Sequence, residues 1–245
     1  GTEVLGITPE DIDGCPLGCL GVPEFGTDFV IQMVIDTKPK TLSDLIRISG
    51  LSHGTDVWLN NAQTLIEEGK ATISTAICTR DDIMTYLINK GVESEESFTI
   101  MERVRKGTVA KGKCKEFKKD MLEHDVPEWY IWSCERIKYM FPKAHAAAYV
   151  MMAYRIAYCK INYPLAYYAA YFGIRASAFS YELMGQGKEK LLYHMKEYKR
   201  RAELNQLSKK DQDTLKDMKN VLEMYARGFD FLPIDIYKSK ASKFQ

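Results

Sequence analysis

The chain has 245 residues, 46% of them hydrophobic, and a formal net charge of +1. That length supports one sizeable core, or one core with a smaller appendage, and the near-neutral balance argues neither for nor against a nucleic-acid partner. Six scattered cysteines (15, 19, 78, 114, 134 and 159), no stretch of membrane-span length and an opening GTEVLG without a signal-peptide pattern point to a cytoplasmic chain with no membrane partner.

The first 26 residues are rich in Gly and Pro and read as a connector. Cys15 and Cys19 stand in CPLGC, a spacing that suits a metal, but no second close Cys/His pair follows and no metal site is expected. Almost everything after residue 26 reads as helix, so the predicted fold class is all-α. Thr41 and Asp44 set a capping box for a helix over 41–49 that ends at Gly50, and Thr79 and Asp82 repeat the device for 79–90 before Gly91. Residues 94–106 start at Ser94 with acids in the first turn and end on Arg103, Arg105 and Lys106, which suits the helix dipole. Further helices are predicted at 57–68, 114–124, 127–140, 144–161, 164–175, 188–204 and 208–227. ATISTAI at 71–77 is the best strand candidate, and 176–187 reads as a polar hinge. The irregular ending FLPIDIYKSKASKFQ leads to the expectation that the chain is a piece of a longer one.

The most informative stretch is IKYMFPKAHAAAYVMMAYRIAYCKINYPLAYYAAYF at 137–172. Pro142 suits the first turn of a helix, which leaves Lys143 and His145 among helix-start amides that attract anions. Tyr149 lies one turn after His145 on the same face. A lysine, a histidine and free amides beside a flat ring make a phosphate grip with a stacking surface, the combination a nucleotide pocket needs. The alternative is a buried structural helix that Lys143 and His145 merely cap.

Three other segments invite functional readings. ISGLSHGTDVW at 48–58 reads as helix, glycine-bounded turn and second helix, with Ser52, His53 and Gly54 near a nucleic-acid phosphate; an ordinary helix connection is the alternative. The run RKGTVAKGKCKEFKK at 105–119, with Lys111 and Lys113 at its middle, could track a nucleic-acid backbone or be a solvated loop. KEKLLYHMKEYKRR at 188–201 reads as a surface helix packed by Leu191, Leu192 and Met195. There is no Asp-x-Asp pair or Walker loop and no defensible Ser-His-Asp order, and Asp81-Asp82 is explained by capping.

GVPEFGTDFV (21–30), SGLSHGTDVW (49–58), CTRDDIMTYLI (78–88), VPEWYIWSCERIKYMFPKAHAAAYV (126–150) and NYPLAYYAAYF (162–172) closely resemble the bacterial replicative DNA polymerase III alpha subunit of the PolC type. The resemblance covers essentially the whole chain. It implies a connector from the palm at 1–26, a helical fingers subdomain at 27–175, and a helical extension at 176–245 that leads toward a helix-hairpin-helix duplex-binding domain. It further implies a DNA-directed DNA polymerase acting in replication, with dNTP and template-primer DNA as ligands and the remaining polymerase domains as partners. The sliding clamp and replisome are implied as partners through regions outside this chain.

Magnesium, in that family, is held by palm carboxylates upstream of any residue present here, so this stretch alone is expected to be inactive. By resemblance, Lys143, His145 and Tyr149 belong to the nucleotide face, Phe141 lines the neighbouring wall, and Arg80, Arg103, Arg105 and Lys106 are candidate triphosphate contacts. The other branch of these polymerases carries paired arginines after the Gly-rich turn, where this sequence has Asn60 and Asn61. A free-standing helical nucleic-acid-binding module, using 48–58 and the basic run, is the alternative reading.

Overall fold

The computed structural model describes residues 1–240 and 244. Among these are twelve α-helices and no strand beyond an isolated bridge between Thr55 and Tyr139, so the fold is all-α as the capped, apolar-striped segments predict. The chain packs as two compact units, Asp28–Met152 and Gly1–Thr27 with Ala153–Gln245. The sequence reading put its breaks elsewhere, after residue 26 and in the hinge at 176–187. Packing groups residues 1–27 with the C-terminal part, and the other boundary falls inside a long helix.

The unit Asp28–Met152 contains α1 (Asp28–Thr37), α2 (Leu42–His53), α3 (Gln63–Glu67), α4 (Arg80–Asn89), α5 (Ser94–Arg105), α6 (Glu116–Glu123), α7 (Glu128–Cys134) and the first half of α8 (Lys143–Asn162). The capping box of α2 forms as expected: Asp44 N–H donates to Thr41 Oγ1 at 3.2 Å, and Thr41 N–H donates to Asp44 Oδ2 at 3.0 Å. Asp82 accepts from the Cys78 and Thr79 amides at 3.1 and 2.9 Å and starts α4. One residue earlier than Ser94, Glu93 caps α5, its carboxylate accepting from the Glu95 and Glu96 amides. The helix at 28–37 was not singled out from sequence.

Gly50 does not end α2, which runs on to His53. A Cβ there would lie 2.6 Å from the Cys78 carbonyl oxygen, so the glycine lets α2 approach the entry to α4. The predicted helix at 57–68 survives only as α3. Leu59, Asn60 and Asn61 leave helical geometry, with Asn60 at φ 56°. Buried Asn61 donates through Nδ2 to the carbonyls of Asp56 and Ser133, at 2.9 and 3.2 Å, and accepts from Ser133 Oγ at 2.5 Å. A short amide side chain that satisfies off-helix backbone groups competes with helix formation, and here it wins. Residues 71–77 form turns rather than a strand, with Thr75 and Ala76 amides both donating to the Thr72 carbonyl. The helix predicted over 127–140 stops at Cys134.

The second unit comprises turns at Glu3–Leu5 and Pro9–Ile12, the rest of α8, α9 (Pro164–Ala170), α10 (Tyr181–Met184), α11 (Lys188–Glu203) and α12 (Lys209–Ala226). Its core gathers Tyr167, Tyr168, Tyr171, Phe172, Leu191, Met195, Met218, Val221 and Leu222. Leu191 and Met195 are buried as predicted, whereas Leu192 is exposed. The segment 176–187 is not a free hinge: it carries α10, whose Met184 is buried and whose Met184 carbonyl accepts from Tyr225 Oη at 2.6 Å.

A charge pair lies inside this core. Lys160 and Glu223 are 1% and 0% exposed, with Lys160 Nζ 2.8 Å from Glu223 Oε1. The ammonium also donates to the Gly18 and Leu20 carbonyls at 2.9 and 2.6 Å. Tyr168 Oη donates to Glu223 Oε1 at 2.7 Å, and Arg227 donates to the Lys160 carbonyl at 2.9 Å. Burial pushes the Lys160 ammonium below its ordinary range, and Glu223 opposes that shift. Gly21, at φ +71°, fits under the same cluster, since a Cβ there would lie 2.4 Å from Tyr167 Oη.

Removing one partner of such a buried pair strands the other charge, which costs about 3–5 kcal/mol, far more than most surface changes. Glu223→Ala and Lys160→Ala are therefore each expected to lower unfolding free energy by about 3–5 kcal/mol, read by urea denaturation. The double change Lys160→Met with Glu223→Leu should cost less than the sum of the singles. A single-substitution loss below ~1 kcal/mol would contradict this account.

Candidate functional site

The candidate residues meet around a run of extended backbone between α7 and α8. Lacking a helix or sheet of its own, residues 138–141 place their polar groups on three neighbours. The Thr55 amide donates to the Tyr139 carbonyl at 2.9 Å, and the Lys138 amide returns a bond to the Thr55 carbonyl at 3.0 Å. The Met140 amide donates to the Arg105 carbonyl at 3.3 Å, and the Arg80 amide donates to the Phe141 carbonyl at 3.2 Å. Two glycines make room for this run. A Cβ on Gly54 would lie 2.8 Å from the Tyr139 carbonyl oxygen, and one on Gly107, which adopts φ +68°, would lie 2.6 Å from that of Lys138. Lys138 also pairs with Asp56 at 2.8 Å.

Held this way, Phe141 starts a ladder of rings. It stacks on His145 with centroids 4.8 Å apart, and His145 meets Tyr149 at 4.6 Å. Edge contacts bring in Tyr139 at 5.2 Å and His53 at 5.9 Å. The i, i+4 spacing of His145 and Tyr149 puts both rings on one face of α8, and Tyr149 keeps 41% of its surface exposed. Lys143 is exposed at the start of this helix. Its amide is not free, however: Asp81 Oδ2 accepts from it at 2.6 Å. The expectation of open helix-start amides is thus corrected at this position. A carboxylate from the first turn of α4 already takes the place an anion would have, as the dipole favours.

The cationic candidates gather on one carboxylate. Arg105 grips Glu102 with two N–H groups, Nε to Oε1 at 2.5 Å and Nη2 to Oε2 at 2.9 Å. Lys106 Nζ lies 2.8 Å from Oε2, and Arg80 Nη1 lies 3.9 Å from Oε1. These donated bonds from Arg105 and Lys106 hold the Glu102 carboxyl well below its ordinary range, at about 2. Arg80 joins the two clusters, because its backbone bonds to Phe141 and its guanidinium faces Glu102. Arg103 is exposed and is not among the described partners of Glu102.

Of the nucleic-acid candidates, His53 touches Phe141, and Ser52 Oγ lies 3.1 Å from His53 Nδ1. The expected second helix does not start at the turn: after Gly54 the chain pairs with Tyr139, kinks through 59–61 and becomes α-helical only at α3. Lys111 and Lys113 are exposed in the segment after Gly107, apart from the residues of the ring ladder. Elsewhere Cys15 Sγ donates to the Leu17 carbonyl, and burial pushes the Cys19 thiol up to about 12. Among the described residues no group of three or more His, Cys, Asp or Glu is placed to hold a metal, and no helix is long and apolar enough to cross a membrane.

The model for the bacterial DNA polymerase III alpha subunit finger domain matches residues 15–125. The chain is 54% identical over 242 residues to a PolC-type DNA polymerase III of Caldanaerobacter subterraneus subsp. tengcongensis, covering 99% of this chain and 17% of that relative. It is 53% identical over 243 residues to that of Clostridium perfringens, covering 99% of this chain and 16% of the relative. It is also 53% identical over 247 residues to that of Streptococcus pneumoniae, covering 100% of this chain and 17% of the relative.

The chain belongs to the PolC-type DNA polymerase III family. It spans 16–17% of the length of these curated relatives, and its finger-domain match takes in Arg80, Glu102, Arg105 and Lys106 but stops short of Phe141 and α8. Of the two carboxylates that organise the site, Glu102 is not picked out from sequence, and Asp81 is read there only as a cap of α4, whereas Asp82 does that capping and Asp81 reaches the Lys143 amide. A signal for Glu102 existed in its i, i+3 and i, i+4 spacing to Arg105 and Lys106. None existed for Asp81, whose partner is 62 residues away.

Because Glu102 is depressed relative to the ordinary value of 4.5, its contribution to stability is present above that pH and is lost as pH falls toward about 2. Glu102→Gln is expected to be less stable than wild type at neutral pH and to lose less stability on acidification through this window. Urea titrations at a series of pH values would show the two curves converging near the acid end. Parallel curves would contradict the assignment.

Proposed function

We propose that this stretch is the nucleotide-binding fingers part of a replicative DNA-directed DNA polymerase. On this reading it grips an incoming dNTP with the Phe141–His145–Tyr149 face and the Arg80, Arg105 and Lys106 cations, beside template-primer DNA. What supports this most is the link through Arg80, which joins a stacking surface to a net-positive cluster. Nucleotide recognition needs both, a flat ring for the base or sugar and cations for the phosphates. Asp81 occupies the Lys143 amide, so the phosphates are held chiefly by side chains, with Lys143 contributing its ammonium. Arg103, Ser52, His53, Gly54, Lys111 and Lys113 remain candidates for DNA or phosphate contact on the same unit.

Phosphoryl transfer by polymerases uses metal ions held by carboxylates. The described residues do not fit a magnesium site, so Mg2+ belongs to residues outside this stretch, and no step is routed through it here. The parent enzyme would then work in the cytoplasm with its remaining domains, the sliding clamp and the replisome. The isolated stretch is expected to show no primer extension with or without magnesium.

In the intact polymerase, Lys143→Ala is expected to raise the KM for dNTP about ten- to a hundredfold through loss of a charge-assisted phosphate contact. Tyr149→Ala should raise it by roughly tenfold or more through loss of a stacking surface, with primer-template affinity little changed. Tyr149→Phe should do much less if the ring is what acts. If KM for dNTP stays at the wild-type value while melting temperature falls in both alanine variants, α8 is a structural helix and this reading is wrong.

A further inference from the structure

We propose that Glu102 is a positioning residue for the nucleotide site: it gathers the ends of Arg105, Lys106 and Arg80 at one spot before the triphosphate arrives. The inference rests on the reading that these cations meet the nucleotide, and it adds a residue that carries the wrong charge to do so itself. Three cations share one carboxylate, which leaves the group net positive. An arrangement selected for fold stability alone would tend toward balanced charges, because like charges held together repel.

The geometry is better than that of a casual surface pair. Arg105 is bidentate on Glu102, which fixes the plane of the guanidinium and its remaining donors. The Glu102 side chain is 19% exposed and Arg105 22%, whereas the Lys106 side chain is 56% exposed. The main chains of two of the cations are fixed as well, since the Arg105 carbonyl and the Arg80 amide both bond to the run at 140–141. Long basic side chains lose rotamer freedom when they clamp a ligand, and holding them beforehand removes that loss from binding.

The test compares Glu102→Gln, Glu102→Asp and Arg105→Ala in the intact polymerase, with steady-state dNTP kinetics and a melting curve for each. Glu102→Gln keeps the size of the side chain but loses the charge and one of the two acceptor oxygens that the three cations share. It is expected to raise KM for dNTP about three- to tenfold through lost pre-ordering, with kcat within about twofold of wild type. Glu102→Asp, which keeps the charge on a shorter arm, should recover part of that loss, and it carries the test alone if Glu102→Gln does not fold. If Arg105→Ala raises KM but both Glu102 variants match or improve on wild type, the positioning role is overturned and the nucleotide reading stands. If Arg105→Ala leaves KM unchanged, the cations do not meet the nucleotide, and both readings of this cluster fall together.

Discussion

Residues 138–141 have backbone donors and acceptors and no regular element of their own in which to spend them. Polar backbone groups left unpaired away from water are costly, and at buried Met140 and half-buried Phe141 this run meets that demand through neighbours. It finds them in Thr55, in the end of α5 and in the start of α4. The backbone convergence at the candidate site follows from those bonds. Phe141 is presented to His145 because its own carbonyl is tied to Arg80, and Arg105 comes near Tyr139 because its carbonyl is tied to Met140. Gly54 and Gly107 are needed because backbone passes within a Cβ's reach on both sides. A residue that looked like a nucleic-acid contact, Gly54, thus has a sufficient steric reason to be glycine.

The other unit depends on a different kind of constraint. An ammonium and a carboxylate have been taken out of water together, and such a pair survives only if its remaining donors and acceptors are also met. Lys160 uses the Gly18 and Leu20 carbonyls, and Glu223 uses the Tyr168 hydroxyl. Those bonds tie the first residues of the chain to α8, α9 and α12. What composition alone marked as a Gly/Pro connector is therefore part of a folded unit. Apolar residues could have filled the space, but they would have fixed the loop at 18–21 less specifically than carbonyl groups aimed at one ammonium.

The electrostatics of the site are set by carboxylates as much as by cations. Asp81 satisfies the first amide of α8, and Glu102 satisfies Arg105 and Lys106. Both belong to the packed α4–α5 pair, the pair that also supplies Arg80. Arg80 and Arg105 thereby stand at helix ends, with Lys106 at the C-cap of α5.

Much of this was legible in the chain itself. Capping boxes at Thr41 and Thr79, the acid-to-base polarity of 94–106 and the long, nearly uncharged helix pattern at 144–161 determined an all-α fold, because these signals are local and act within one or two turns. The i, i+4 spacing of His145 and Tyr149 determined that two rings share a face, and the motif FPKAHAAAY carried the family resemblance. What the sequence could not settle depended on partners far along the chain. Asn61 breaks a predicted helix because it reaches Ser133, α2 runs through Gly50 because the entry to α4 lies against it, and Lys160 is buried because Glu223 waits 63 residues on. Propensity and periodicity describe a residue's neighbours in sequence. Only tertiary packing brings Arg80, Glu102, Arg105 and Phe141 together, because the hydrogen bonds that join them close loops no local pattern records.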